Sequence, residues 1–135
     1  QYYVVGIGKN LKIFDVLDIY LESNDKKFEI KTLVGKFSIE NKKSCLKKKE
    51  EITKDINKLF KNKTPYNDIK NHEIDNSGES KQYISQFNFD SFLTNIRVEC
   101  NFYSKKIKDD TQWEDSLNII VTIEEISNWI FGGYK

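Results

Sequence analysis

The sequence predicts an α+β domain: a mostly antiparallel sheet of about five strands, with one long Lys-rich helix on a face and a short C-terminal helix. The strands divide into a hairpin and a three-stranded meander. Three observations carry this expectation. Ile96, Val98, Cys100 and Phe102 alternate with Arg97, Glu99 and Asn101, as in a strand with one buried face. Cys45, Ile52, Ile56, Leu59 and Phe60 recur along one side of a helix. Finally, 135 residues with 38% hydrophobic and 13% aromatic side chains suffice for one domain core and argue against disorder.

Taken in order, Tyr2–Val5 reads as a short extended arm that turns at Gly6-Ile7-Gly8. Leu11–Glu22 admits two readings. Lys12, Asp15, Asp18 and Glu22 fall near helical spacing, whereas Ile13, Val16 and Ile19 are β-branched. The turn residues Ser23–Lys26 and the following run Phe28–Val34 favour a hairpin, with the helix as the alternative. After Gly35 comes the clearest helix, capped by Ser38 or Asn41, with Pro65 closing the region. Asn67–Lys81 is polar and reads as a long surface loop, the least ordered part of the domain.

The meander follows. Tyr83, Phe87 and Phe89 mark its first strand, Asp90-Ser91 begins a turn, and Ile96–Phe102 is the second strand. Lys105–Gln112 reads as a charged turn, and Leu117, Ile119, Val121 and Ile123 alternate as the third strand. Glu124-Glu125 open the terminal helix, whose apolar face is Ile126, Trp129 and Ile130 and which Gly132-Gly133 ends. No repeat or second domain is visible, so 1–135 reads as a single domain.

Charge and composition exclude some functions. Lys+Arg 22 against Asp+Glu 21 leaves a net charge of +1, so no long-range field steers nucleic acid, and a nucleic-acid partner is not expected. All basic residues but Arg97 are lysines, which weakens bidentate phosphate recognition. No apolar run approaches the roughly 20 residues of a membrane span. The sequence begins with Gln1 and contains no Met, which together with the cysteines predicts export, periplasmic or secreted, after removal of an N-terminal signal.

Cys45 falls on the apolar side of the helix and Cys100 on the inward side of a strand, so a disulfide clamping helix to sheet is expected. Its loop of about 55 residues would be worth roughly 4 kcal/mol in the chain-entropy model. The alternative is two buried free thiols.

Four groups of residues offer chemistry. His72-Glu73-Ile74-Asp75-Asn76-Ser77-Gly78-Glu79-Ser80 gathers the sole His with Asp and Ser, the residue types of a catalytic triad. All of them lie in one segment without a nucleophile elbow, and the plainer reading is an Asx-bonded turn with Gly78 at positive φ. Asp75, Ser77 and Glu79, or Asp109, Asp110, Glu114 and Asp115, could be imagined around a cation, but no motif spacing supports a metal site. Among the lysines of the helix, Lys47, Lys48, Lys54 and Lys58 form the candidate partner-binding patch, against the plainer reading of a solvated helix face. Gly6-Ile7-Gly8 lacks a phosphate-binding pattern, and Asn62-Lys63-Thr64 is a glycosylation sequon disfavoured by Pro65. No cofactor is implied.

Val34-Gly35-Lys36-Phe37-Ser38 running into a helix resembles the strand–Gly-x-Phe–helix opening of SPOR peptidoglycan-binding domains. The resemblance covers one strand–helix unit, lacks the second repeat, and transfers no binding residue. The functional expectation is a small exported non-enzymatic protein that binds a protein partner or cell-envelope component. The alternatives are a small hydrolase or metal-dependent enzyme, and an accessory subunit docking through Tyr2–Val5 and Trp129–Tyr134.

Overall fold

A computed structural model describes residues 2–8, 11–89 and 95–122. The strands are β1 (Tyr2–Ile7), β2 (Val16–Glu22), β3 (Ile30–Ser38), β4 (Tyr66–Asn71), β5 (Lys81–Asn88), β6 (Asn95–Phe102) and β7 (Ser116–Thr122), and the helices are α1 (Lys42–Leu59) and α2 (Lys105–Thr111). All the strands join one sheet in the order β1-β2-β3-β7-β6-β5-β4, and every pairing is antiparallel. The mixed class and the antiparallel sheet agree with the sequence reading. The count of about five strands does not: among the described residues the sheet has seven.

The two additional strands are the edges. The arm at Tyr2–Val5 is β1, paired to β2 through its whole length. The first third of the expected surface loop, Asn67–Asn71, lies in β4, paired to β5. The arm is extended as the sequence reading has it, and its pairing makes it a strand. Asn67–Asn71 shows little hydrophobic alternation because an edge strand need not bury a face.

Leu11–Glu22 contributes a strand, and β2–β3 is the hairpin preferred from sequence. Its turn is held by the Asp25 carboxylate, which accepts the amides of Lys27 (2.9 Å) and Glu29 (2.7 Å). Asn41, not Ser38, caps α1, its Oδ1 accepting the Ser44 amide at 2.9 Å in a reciprocal capping arrangement. Lys61 and Asn62 take positive φ just beyond the helix and end it. The charged turn at Lys105–Gln112 is instead the short helix α2, capped by Ser104 and stopped by a left-handed Gln112. The expected C-terminal helix lies outside the described residues.

The helix α1 crosses β6 and β7 on one face of the sheet. There Cys45, Cys100, Val98, Leu117 and Phe37 form the buried core, flanked by Leu46, Ile52 and Ile56. Leu59, expected on this apolar side, is the last residue of the helix and is 74% exposed. The Cys45 and Cys100 sulfurs lie 2.07 Å apart, at disulfide distance. On the same side, the Phe14 ring lies over Gly35 and against Phe37, with ring centroids 4.9 Å apart. Beyond it, the β1–β2 wing presents Tyr3, Val5, Ile7, Leu17 and Ile19, with the first three exposed.

Gly35 is required by this packing, since a Cβ there would collide with the Phe14 ring. Gly35→Ala is expected to destabilise the protein by about 1–3 kcal/mol, the usual cost of overpacking. Urea denaturation measures it, and Phe14→Ala in the same chain should recover part of the overpacking term, because the obstructing ring is then gone.

Candidate functional site

The alternation that buries Val98 and Cys100 under α1 places Arg97, Glu99 and Asn101 on the opposite face of β6. Register puts Gln82 of β5 beside Asn101 and Asn118 of β7 beside Glu99. A strand with one buried face would leave these polar groups in water. Here both faces are covered, with Arg97 4% and Glu99 5% exposed.

Buried charges are tolerated only when paired and hydrogen-bonded. The Arg97 Nε lies 2.9 Å from Glu99 Oε2. The Asn101 Nδ2 donates to Glu99 Oε1 at 2.9 Å, and Asn118 Nδ2 approaches the same oxygen at 3.5 Å. The Gln82 Nε2 in turn donates to Asn101 Oδ1 at 3.0 Å. The Glu99 Oε2 meets Arg97 as an ion pair without hydrogen-bond geometry, and the Asn118 Oδ1 is buried with no hydrogen-bond partner among the described residues.

This network is the floor of a cavity of about 600 Å³. Val34 and Ile120 extend the floor with apolar surface, and Tyr20 borders it. The opposite wall comes from two connections, the turn after β4 and the α2 excursion between β6 and β7. His72 comes from the first, and Tyr103 and Trp113 from the second. Their ring centroids are 5.1 Å (His72–Tyr103), 5.5 Å (Tyr103–Trp113) and 6.4 Å (His72–Trp113) apart.

Both connections are pinned by hydrogen bonds. Asp75 accepts the Ser77 amide (3.0 Å) and hydroxyl (2.6 Å), and also the amide and hydroxyl of Ser80. The Ser80 Oγ accepts the Ser104 amide at 2.8 Å, which ties the turn to the start of α2. Asp115 closes the excursion by accepting the Tyr103 amide at 2.9 Å and pairing with Lys108 at 2.8 Å. The segment His72–Ser80 is therefore a hydrogen-bonded turn with Gly78 at φ 75, as the Asx-turn reading expects.

Compared with protein families, curated proteins and solved structures, the chain matches none. The site must be read from its own chemistry.

The triad residue types in that turn are not arranged for nucleophilic catalysis. A triad carboxylate orients an imidazole, whereas the Asp75 carboxylate is occupied by serine hydroxyls and amides. The His72 Nδ1 accepts the Ile74 amide at 3.3 Å. Among the described residues, no group of three or more His, Cys, Asp or Glu side chains is placed to hold a metal ion.

The lysines are dispersed by the helix. Lys47, Lys54 and Lys58 share one exposed side of α1, where Lys54 pairs with Glu50 at 2.7 Å. Lys48 turns elsewhere, its ammonium 4.5 Å from the Phe37 ring centroid. Lys49 and Lys42 reach down to the Ser85 hydroxyl and the Tyr83 hydroxyl. Several lysines of the run thus brace helix against sheet. Arg97, Glu99, Asn101, Gln82 and Asn118 were not singled out from sequence. The available signal was Arg97 itself, the one guanidinium in a chain that otherwise uses lysine.

Burial holds His72 below the ordinary imidazole value of 6.5, a loss of hydration that outweighs the attraction of Glu99. The unfolded chain therefore takes up a proton in a pH range where the folded chain does not. Stability is full above that range and falls as pH drops below 6.5 toward the folded value. Hydrogen bonds from Ser77 and Ser80 lower Asp75, so its contribution is lost only below 3.8. The windows are separate. Denaturation midpoints between about pH 7.5 and 5 should decline in the parent and flatten in His72→Gln, the sole histidine having been removed.

Proposed function

We propose that this chain is a small, exported, non-enzymatic binding protein whose ligand is a small polar molecule held in the cavity over β5, β6 and β7. One observation carries the reading: a 600 Å³ cavity with a buried, cross-bonded polar floor and an aromatic wall. Cavities of this size that combine apolar lining with a few converging polar groups are the usual form of small-molecule sites. The floor is held by bonds among its own side chains, so little conformational entropy is lost when a ligand arrives.

The non-enzymatic half of the proposal is supported by how the reactive residue types are used. His72 contributes a ring to the wall, and Asp75 holds the turn. Export is supported by the sulfurs of Cys45 and Cys100 at bonding distance, since such bonds persist in oxidising compartments. No helix among the described residues is long and apolar enough to cross a membrane. Where a protein or cell-envelope component carries the ligand group, the cavity rather than the lysine patch receives it.

Two measurements test this. In ¹⁵N-labelled protein screened against mixtures of small polar compounds, the Trp113 indole and the side-chain amides of Gln82, Asn101 and Asn118 should shift together. Reversal of Lys47, Lys48, Lys54 and Lys58 to Glu should leave those shifts unchanged. If no compound moves the cavity signals, the binding assignment fails; if charge reversal abolishes them, the site belongs on α1. Separately, intact mass and alkylation of denatured protein should find no free thiol before reduction and two after it. Two free thiols from the start would remove the support for export.

A further inference from the structure

The geometry points to an uncharged, hydroxyl-rich ring compound, a mono- or disaccharide, as the ligand class of this cavity. The inference rests on the binding reading above and adds the chemistry of what is bound. It follows from three properties of the lining.

The first is charge. The buried and half-buried ionic groups that line the cavity are matched within the protein. The two remaining carboxylates of the lining, Asp15 and Glu114, are exposed to solvent, and Asp15 also accepts the Ser38 amide. Arg97 faces Glu99 at 2.9 Å, Lys36 faces Asp18 at 2.7 Å, and Asp115 faces Lys108 at 2.8 Å. Lys70 and Glu73 stand 3.7 Å apart at the rim. A ligand with a formal charge would have to break one of these pairs or remain uncompensated in a partly desolvated space. Either is costly, so a neutral ligand is favoured.

The second is the sense of hydrogen bonding. Gln82 Nε2, Asn101 Nδ2 and Asn118 Nδ2 all point at acceptors within the floor. The Asn118 side chain is only 8% exposed, and its Oδ1 has no donor among the described residues. A buried acceptor in this condition calls for an O–H or N–H from outside. A site built to bond a hydroxyl also discriminates strongly against analogues that lack it.

The third is the shape of the aromatic wall. Tyr103 and Trp113 meet at 63°, His72 and Tyr103 at 54°, and His72 and Trp113 at 61°. No two of these planes are parallel, so there is no slot for a flat base sandwiched between rings. The inclined rings form a corner instead. A puckered sugar ring fills such a corner, because its C–H groups point in several directions and each can meet an aromatic face. Hydroxyls on its other side then reach the carboxamides of the floor.

The test is an NMR titration of the full chain with glucose, galactose, N-acetylglucosamine and maltose. Glucuronate and glucosamine serve as charged counterparts, and uracil as a flat neutral comparison. At least one neutral sugar should saturate the cavity signals, and its charged counterpart should bind at least about tenfold more weakly. Asn118→Leu, similar in volume, should abolish that binding. Trp113→Ala should weaken it by about tenfold or more, and it changes a side chain that is already 40% exposed, so loss of fold is not expected there. Saturation of the same signals by uracil or by a charged compound but by no neutral sugar overturns the sugar assignment and leaves the cavity as a binding site. Binding that survives in both variants also overturns it. Silence of the cavity toward every compound overturns the sugar assignment and the binding reading together.

Discussion

The strand β7 is the last described element of the chain and the middle one of the sheet, and it is paired along both edges, to β3 and to β6. Without it the described strands would divide into β1-β2-β3 and β4-β5-β6, each too small to bury much on its own. Closing the junction brings Thr32 against Thr122, whose hydroxyls meet at 2.6 Å in a buried contact across 90 residues of sequence. The same strand carries Leu117 into the core under α1 and Asn118 and Ile120 into the cavity floor. Core and site therefore rest on one set of backbone hydrogen bonds.

The two faces of β6 and β7 solve different physical problems. On the α1 side, Val98, Cys100 and Leu117 are close-packed, and stability comes from removing apolar surface from water. On the other side the strands bury a guanidinium, a carboxylate and several carboxamides, which is unfavourable unless nearly every polar atom finds a partner. Arg97 and Glu99 can pair because they are two apart on one strand and so share a face. A buried ion pair adds little net stability over apolar side chains of similar size. Its presence is better understood as positioning: it fixes a polar surface under a cavity, in which the Asn118 Oδ1 acceptor is unmet among the described residues.

The lysines illustrate how composition misleads about surfaces. A run of ammonium groups along α1 reads as a charged face, yet the long alkyl stems let several of them cover the sheet while their heads reach hydroxyls or rings. Lys49 is depressed by that burial. What remains exposed on Lys47, Lys54 and Lys58 is a shorter stripe, interrupted by the acid that pairs with Lys54.

Much of this protein was determined locally, and those parts were legible in sequence. Helical periodicity located α1, and Asn41 capped it by reaching the Ser44 amide. The turn residues around Asp25 made the β2–β3 hairpin, and period-two alternation located β6 and β7. The inward positions of Cys45 and Cys100 followed from the same periodicities. Alternation says which residues share a face, but not what lies against that face, so Arg97, Glu99 and Asn101 were assigned to water. Only the tertiary structure decided otherwise, by pairing β7 on both edges and folding the His72–Ser80 turn and the Tyr103–Trp113 excursion over the polar side. The edge strands β1 and β4 were likewise settled by their neighbours, because a strand that buries no face writes no pattern into its own sequence. The physical division is one of range: dihedral preferences, caps and periodicity act over a few residues, whereas sheet order and the covering of a face are set by contacts between segments far apart in the chain.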